Sequence, residues 1–415
     1  MKAVCIAIGM TGLLVVAAFG QKPTRGVGTQ EVDVVEASAV LPEAPSQKVP
    51  RAADGPAVTP FQARFTARTT AGITNALIRW GAWAPGEKKE EVRYPTEQAI
   101  LTALKWLQRE QQPDGSWKGA QTIVTPNLTA LALLACLGHG ETPSSAGYGT
   151  NVWKAIRWLL EDQEENGLFK GRDERNYTQP VATLALAEAY GMTLDPEVKV
   201  AAEKGVARIV KGQHPDGGFS YNLDKAAQDD TSYMSWSAQA LVIARMAGLD
   251  VPGLERAIEK AVYALRQNAD PNGGFGESGP GRTGFSGAGV VGLQFLGSPR
   301  VAEVQKTLQL LATNTFRSAI EETPPFPGAS RFYVAWNLSQ ARFQAGEDSF
   351  RTWNKPLARE LVGSQIRQRN LLSGWTDLGH WERPAANDPK EVVIQDTCYG
   401  VLMLEVYYRY LPFGK

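Results

Sequence analysis

Two adjacent aspartates, Asp229 and Asp230, followed by Thr231, are the residues of this sequence best suited to acid chemistry. Neighbouring carboxylates in an apolar site raise each other's pKa, so one of them can stay protonated and donate a proton near neutral pH. The same residue types cap helices, because their side-chain oxygens accept hydrogen bonds from the free amides of a helix N-terminus. The sequence leaves both interpretations open, a proton donor and a helix cap.

Aromatic residues recur near the starts of several predicted helices, where they would suit a cationic intermediate. A ring face within about 6 Å of a cation stabilises it by roughly 0.5–2 kcal/mol. Buried aromatics at helical spacing also form ordinary hydrophobic cores, so this pattern has two interpretations as well. The candidate ligand-lining residues are Tyr233, Trp236, Phe285, Phe332, Tyr333, Trp336 and Tyr399.

The composition excludes several classes of partner and cofactor. The chain has 43 Lys+Arg and 43 Asp+Glu, so its formal net charge is zero, and binding to nucleic acid or to acidic lipids through basic residues is not expected. Three histidines and three cysteines are too few for several zinc sites or for a fold held by disulfides. We expect no metal and no cofactor.

An internal repeat predicts the elements that position these residues. In each copy a glutamine is followed four residues later by a glycine, and an aromatic residue comes two positions after the glycine. The copies end at Trp117, Phe169, Phe219 and Phe275, which are separated by 52, 50 and 56 residues, about one helical hairpin each, and the last has Ala269 in place of the glutamine. Degenerate fifth and sixth copies are predicted near Asn314-Thr315-Phe316 and at Ser373-Gly374-Trp375.

Each unit has an amphipathic helix before the motif and a more apolar helix after it. A helix that is apolar on nearly all sides is buried, so the second helices are expected to form an inner layer that the first helices cover. The second helices are predicted at Leu128–Leu137, Val181–Tyr190, Ser235–Ala247, Gly287–Leu296, Tyr333–Phe343 and Tyr399–Tyr408. Six such hairpins predict an all-α fold, an (α/α)6 toroid.

The repeat resembles the QW motif of squalene-hopene cyclases and related triterpene cyclases, and the hairpin plan is similar to that of protein prenyltransferase β-subunits. The resemblance covers residues 95–415. It implies a central cavity, lined by the ends of the inner helices, that holds an isoprenoid chain. The motif itself is interpreted as structural, since its amide satisfies backbone groups at a helix end while its ring packs across them.

The resemblance also assigns roles to the acid candidates. The cyclases carry an Asp-x-Asp-Asp-Thr run, which matches residues 227–231 except that Ala227 replaces the first aspartate. Asp229 would then be the proton donor and Asp230 its neighbour. The zinc-dependent prenyltransferases carry a histidine ligand where this chain has Asp396, two residues before Cys398, so zinc-dependent prenyl transfer is not expected.

Two features of the ring closure follow from the repeat. Cys136 and Cys398 belong to neighbouring units, but an offset of about 9 Å along parallel helices exceeds the roughly 4.4–6.8 Å that a disulfide spans, so we expect buried free thiols. The sixth unit carries an insertion at 376–394. Its residues, including His380 and Glu382, are expected at one mouth of the toroid, either as a solvated loop or as a functional rim.

The first 94 residues precede the repeats. Residues 1–20 are predicted as a signal peptide, because an apolar run follows Lys2 and ends in small residues; an uncleaved membrane anchor is the alternative. Residues 21–60 indicate a disordered linker and residues 61–94 an N-terminal extension before the toroid at 95–415. We expect an exported monomer, periplasmic or extracellular, that stays near the membrane if the leader is retained.

Three functions are compatible with these features. The first is a divergent terpene cyclase of the protonation-initiated kind, with Asp229 and Asp230 as its acid residues and a hydrophobic isoprenoid-like ligand in the toroid. The second is a non-catalytic scaffold that binds such a molecule or a protein partner. The third is a polysaccharide-active (α/α)6 enzyme, which would require a cleft rimmed by paired carboxylates.

Overall fold

The computed structural model describes residues 95–119, 124–170, 177–223, 228–314, 331–369, 376–382 and 388–409. The predicted signal peptide, linker and extension (1–20, 21–60 and 61–94) lie outside the described residues, as do Phe316 and Trp375 of the two degenerate motifs. Within the described ranges, no helix has both the length and the apolar character needed to cross a membrane.

The regular elements of the described residues are twelve α-helices, a short 3-10 helix at Tyr221–Leu223 and one two-stranded sheet. The helices are α1 Pro95–Glu110, α2 Thr125–His139, α3 Gly149–Asp162, α4 Thr178–Thr193, α5 Pro196–Gly212, α6 Thr231–Met246, α7 Leu254–Gln267, α8 Ser286–Phe295, α9 Ala302–Leu310, α10 Arg331–Ala345, α11 Glu347–Ser364 and α12 Lys390–Arg409. The antiparallel strands are β1 Ile366–Arg369 and β2 Thr376–His380.

The even-numbered helices form a closed inner ring. Each of them packs against the even-numbered helix before it and the one after it, and α12 packs against α2. The odd-numbered helices pack on the outside of this ring against the inner helices of their own or the neighbouring unit. The predicted all-α (α/α)6 toroid is confirmed, and most inner helices begin a few residues earlier than predicted.

The two layers differ in how much of each helix they bury. Nearly every side chain of α2 is buried, whereas α3 buries a stripe of residues at three- and four-residue spacing that includes Val152, Ile156 and Leu159. An amphipathic outer helix covers an apolar inner one, so each hairpin can bury its inner helix only when neighbouring hairpins complete the ring.

The motif glutamines join each unit to the next. Each donates its side-chain amide to a backbone carbonyl on the following outer helix, and the contacts are Gln111 to Asn151 (3.0 Å), Gln163 to Ala201 (3.0 Å) and Gln213 to Ala257 (2.9 Å). The motif glycine lies directly against the same outer helix: Gly115 has a φ of +95°, and a Cβ there would collide with the carbonyl of Lys154. The motif therefore connects each unit to the next.

The sixth motif lies at Gln365, Gly379 and Trp381, so the prediction of Ser373-Gly374-Trp375 was wrong. The Trp381 indole N–H donates to the Leu361 carbonyl at 2.8 Å, as that of Trp117 does to Leu107 at 2.8 Å. Its backbone N–H reaches Thr397 Oγ1 at 3.2 Å, matching the 3.1 Å contact from Trp117 to Thr129. The β1–β2 hairpin is inserted between the glutamine and the glycine, and this separates the two halves of the motif.

The insertion packs on the outer wall of the ring. The His380 ring stacks on Trp106 of the outer helix α1 with ring centroids 5.0 Å apart, and β2 contacts α1 along its length. Trp381 is buried as a motif aromatic. Residues 376–382 thus connect the sixth unit to the first, residues 383–387 lie outside the described residues, and the expected placement of the insertion at a mouth of the toroid stays a prediction.

Cys136 and Cys398 are both free and buried. Burial raises the pKa of each thiol well above its ordinary value, so both remain neutral. The expectation of two buried thiols is confirmed.

Replacing Gln365 with alanine is expected to lower the free energy of unfolding by about 1–3 kcal/mol, because two buried hydrogen bonds, each worth about 0.5–1.5 kcal/mol, are lost. The Gln365 amide donates to the Ala99 carbonyl at 2.8 Å, and its oxygen accepts from the Thr102 hydroxyl at 3.1 Å. Urea unfolding measures the change. Gln309→Ala on the exposed face of α9 is the control. An equal loss in both variants would show that the hydrogen bonds between the sixth unit and the first add no more stability than an exposed glutamine does.

Candidate functional site

The start of α6 is held between the third and fourth motifs. The Asp230 amide donates to the Phe219 carbonyl at 3.1 Å, which aligns residues 228–230 with the third motif. Thr231 donates its amide to the Glu277 carbonyl at 2.8 Å and its hydroxyl to the Gly276 carbonyl at 2.6 Å. The two aspartates are therefore positioned by backbone contacts on both sides.

Asp230 caps α6 and is buried. Its Oδ1 accepts hydrogen bonds from the Tyr233 amide at 2.7 Å and from the Ser232 hydroxyl at 2.9 Å, and the residue is 3% exposed. Burial raises the pKa of this carboxyl to about 6, and the hydrogen bonds oppose that shift only in part. Asp230 thus combines the cap geometry with a carboxyl that is partly protonated near neutral pH.

Asp229 points away from Asp230. The backbone at Asp230 is extended (φ −120°, ψ 122°), and successive side chains of an extended chain project to opposite sides. The Asp229 carboxylate contacts His214 (Oδ1 to Nδ1, 2.5 Å) and lies directly over Gly218, where any Cβ would collide with it. Burial and the nearby Asp216 raise its pKa, while His214 lowers it.

The described residues that bring metal-binding atoms together are His214, Asp216 and Asp229, all within 4.8 Å of one another. Each already has a protein partner. His214 contacts Ser220 Oγ at 3.2 Å through Nε2, and Asp216 accepts from the Gly218 amide at 3.1 Å, as Asp114 does from Ser116 at 3.0 Å in the first motif. These contacts place the three side chains on the turn of the third motif, each held by a neighbouring protein atom.

An aromatic cluster lies inside the ring near Asp230. Trp236 and Trp336 stack with centroids 4.8 Å apart, Tyr333 and Tyr399 lie 5.7 Å apart, and Tyr177 stacks on Tyr333 at 6.0 Å. These contacts join inner helices α6, α10 and α12 with the start of α4. We call the connected residues the aromatic cluster: Tyr177, Tyr221, Tyr233, Trp236, Tyr333, Trp336 and Tyr399.

All seven aromatic residues predicted from the sequence are buried, and five of them belong to the aromatic cluster. Phe285 precedes α8 and Phe332 lies in the first turn of α10. Sequence reasoning missed two members, Tyr177 and Tyr221, which are the partly exposed ones. Tyr177 directly precedes α4, so the rule that selected residues at inner-helix starts would have found it.

The arrangement can perform acid chemistry next to π-electron faces. Asp230 is a buried carboxyl at the edge of the aromatic cluster, connected to it through Ser232, whose hydroxyl lies 2.7 Å from that of Tyr177. A neutral carboxyl can donate a proton, and ring faces favour a cation that forms beside them.

The sequence matches a family model, the prenyltransferase alpha-alpha toroid domain, over residues 91–235 and 127–321. Among curated proteins it is 31% identical to the squalene–hopene cyclase of Zymomonas mobilis, over 49% of this chain and 33% of that protein. It is 22% identical to enfumafungin synthase of Hormonema carpetanum, over 44% of this chain and 16% of that protein. The chain therefore spans a third or less of the length of these relatives.

A similar fold occurs among solved structures. The alpha-1,6-mannanase of Salegentibacter sp. HEL1_6 superposes with a TM-score of 0.54 at 10% identity, covering 75% of this chain and 98% of that one. At this identity the similarity concerns the fold alone.

Proposed function

Since this chain belongs to the prenyltransferase alpha-alpha toroid domain family, we propose that it binds a hydrophobic isoprenoid-like molecule in its ring and protonates it, as a terpene cyclase or isomerase. The names of its relatives, squalene–hopene cyclase among them, support the class of reaction. Because the chain spans only part of those proteins, the activity and its substrate are our proposal for this chain.

The observation that carries the proposal is the placement of Asp230. It is a buried carboxyl with a pKa of about 6 that lies against the aromatic cluster, whereas Asp229 is turned towards His214. We therefore propose Asp230 as the proton donor, although the resemblance to cyclases suggested Asp229. Oδ1 of Asp230 accepts two hydrogen bonds, so the transferable proton is assigned to Oδ2.

In the proposed reaction the neutral Asp230 gives its proton to a carbon–carbon double bond. A C–H bond forms from the π electrons, the neighbouring carbon becomes cationic, and Asp230 is left as the carboxylate. A second double bond can attack the cation, which forms a carbon–carbon bond and moves the positive charge to another carbon. The reaction ends when a carbon next to the cation loses a proton to water. Each ring face near the cation would stabilise it by about 0.5–2 kcal/mol.

The ligand is proposed to lie over the partly exposed side of the aromatic cluster, at Tyr177 and Tyr221. The deeper members pack on one another with centroid distances of 4.8–6.2 Å, so they form a floor under the ligand. Asp230 lies next to the same side of the cluster, because Ser232 bonds to Asp230 and its hydroxyl also contacts that of Tyr177. A ligand there meets both the acid and the rings.

The test is to incubate the purified full chain with squalene and with geranylgeraniol, to follow products by mass spectrometry and to measure binding by calorimetry. New cyclic or isomerised products would support the proposal. Saturable binding without product would support the non-catalytic scaffold instead. If neither compound binds and neither is converted, the isoprenoid proposal is wrong.

A second candidate is a polysaccharide-active enzyme, the class to which the alpha-1,6-mannanase of similar fold belongs. Against it, Asp230 is buried at the edge of the aromatic cluster, whereas a polysaccharide needs an open, polar cleft. Release of sugars from alpha-1,6-mannan by the same purified protein would support this candidate over ours.

Export remains a proposal that rests on residues 1–20 alone, and the expected monomer remains a prediction. Both can be checked on the expressed full chain, by cell fractionation with N-terminal sequencing and by light scattering.

A further inference from the structure

A continuous chain of hydroxyl groups leads from the edge of the aromatic cluster to Asp230. Tyr221 donates its hydroxyl hydrogen to the Tyr177 oxygen at 2.9 Å, and the Tyr177 hydroxyl lies 2.7 Å from that of Ser232. Ser232 then donates to Asp230 Oδ1 at 2.9 Å. Tyr221 is partly exposed, whereas Ser232 and Asp230 are buried.

We propose that Tyr221, Tyr177 and Ser232 form a proton relay that returns a proton from solvent to Asp230. An acid that has given up its proton must regain one before it can act again, and Asp230 is too deeply buried to take it directly from bulk water. Once the ligand has left the partly exposed side of the cluster, water reaches Tyr221, whereas Asp230 stays buried. The hydroxyl chain is the route that the hydrogen bonds provide.

The transfer is balanced along the chain. Water gives a proton to the Tyr221 oxygen, Tyr221 passes its own proton to Tyr177, and Tyr177 passes one to Ser232. Ser232 completes the sequence by protonating Asp230 Oδ1. Each hydroxyl gains one proton and loses one, and a half-turn of the carboxyl group then carries the new proton to the ligand side.

The three hydroxyls come from three separate elements of the fold, and yet they meet in one hydrogen-bonded chain. Tyr177 directly precedes α4, Tyr221 begins a short 3-10 helix at Tyr221–Leu223, and Ser232 lies in the first turn of α6. Phenylalanine would fill the same apolar volume as either tyrosine. The hydroxyls instead satisfy one another in sequence, since a buried hydroxyl without a partner costs about 1–3 kcal/mol.

Neutral tyrosines suit this role. Burial raises the pKa of both Tyr177 and Tyr221 above the ordinary value, so each keeps its proton and can accept one while it donates another. The charged groups near this chain of hydroxyls include Asp230 itself, Glu277, which raises the pKa of Asp230, and Arg208, which acts on the neighbouring Tyr233.

The inference rests on the proposed function in treating Asp230 as the acid, but its test needs no ligand. A rapid drop in pH from above to below the pKa of Asp230, followed by time-resolved infrared spectroscopy, records protonation of the carboxyl. The band is assigned by its absence in Asp230→Asn. We expect Tyr177→Phe and Ser232→Ala to slow protonation at least about tenfold, which corresponds to about 1.4 kcal/mol in the barrier, with the final amplitude retained.

Two controls separate the relay from packing. Ser232→Thr keeps a hydroxyl and is expected to restore most of the rate lost in Ser232→Ala. Tyr263→Phe, at a side chain 64% exposed on α7, is expected to leave the rate unchanged. Equal rates in wild type, Tyr177→Phe and Ser232→Ala would overturn the relay.

The outcomes also separate the two proposals. If no carboxyl band depends on Asp230, then both the donor and the relay are wrong. If the relay variants slow protonation while no isoprenoid is converted, the relay stands and the proposed reaction fails. Should Tyr177→Phe not fold, the Ser232 pair decides the matter alone.

Discussion

The Asp230→Asn variant is expected to lose product formation by a factor of about 10² to 10⁴, the usual contribution of a positioned general acid. Asparagine cannot donate the required proton. It does accept the hydrogen bond from the Tyr233 amide and is among the best helix-capping residues, so α6 should begin where it does now. Product formed per unit time from the converted isoprenoid measures the loss, and circular dichroism confirms the fold.

Asp229→Asn is the matched comparison. Its carboxylate contacts His214 at 2.5 Å on the opposite side of the extended chain, so its loss is expected to lower turnover less than about tenfold. The opposite ranking, with Asp229→Asn inactive and Asp230→Asn active, would move the proton donor back to the residue that the cyclase resemblance indicated.

The pH dependence follows from the same carboxyl. The reaction needs Asp230 protonated, so turnover at low substrate should fall as the pH rises through about 6 and continue to fall about tenfold per pH unit. The raised pKa also bears on stability. Protonation favours the folded state, so this contribution is present below the ordinary value of 3.8 and is lost as the pH rises through about 6. Asp230→Asn removes this loss and should be at least as stable as wild type at pH 7.

Trp381→Ala is expected to be the most destabilising single change among those considered, at about 3–5 kcal/mol in the free energy of unfolding. The indole is 1% exposed, donates to the Leu361 carbonyl at 2.8 Å and packs against Gly400, where a Cβ would come within 2.6 Å of it. Alanine leaves a cavity and removes one of the hydrogen bonds to the Leu361 carbonyl, which keeps the one from the Ser364 hydroxyl. Guanidinium unfolding followed by circular dichroism measures the loss.

Trp153→Ala provides the control for tryptophan removal, because this side chain on α3 is 48% exposed. We expect it to cost less than about 1 kcal/mol. Similar small losses in both variants would contradict the assignment of Trp381 as the aromatic residue of the sixth motif.

The fold was predictable because its signal is local and repeated. Gln111, Gln163 and Gln213 each make the same contact with the next unit. Each copy of the sequence motif therefore marks one contact between neighbouring units. The sixth contact was missed for the same reason. Strand β1 and the residues that follow it separate Gln365 from Gly379, so the usual spacing from glutamine to glycine is lost. Ser373-Gly374-Trp375 lies between them and resembles the end of the motif by chance.

The candidate site was predictable only in part. The sequence indicates that Asp229 and Asp230 precede an inner helix, and cap geometry is confirmed for Asp230. Which of two neighbouring carboxylates faces the interior depends on the backbone angles between them, and those are set by contacts with Phe219 and Glu277 that no local pattern reveals. The roles of Tyr177 and Tyr221 depend on a distance between separate units, which the repeat does not encode.

The contact between the last unit and the first, which we call the seam of the ring, has a consequence for how the protein is made. The hydrogen bond from Gln365 to Ala99 joins residues 266 positions apart, and α12 completes the ring against α2 at the end of the described chain. Synthesis proceeds from the N-terminus. The side of the first unit that α12 will cover, which we call its apolar flank, therefore stays uncovered until five further hairpins have been synthesised. During that interval the flank can accept the last unit of another chain in place of its own, and the seam is where a domain-swapped dimer would form.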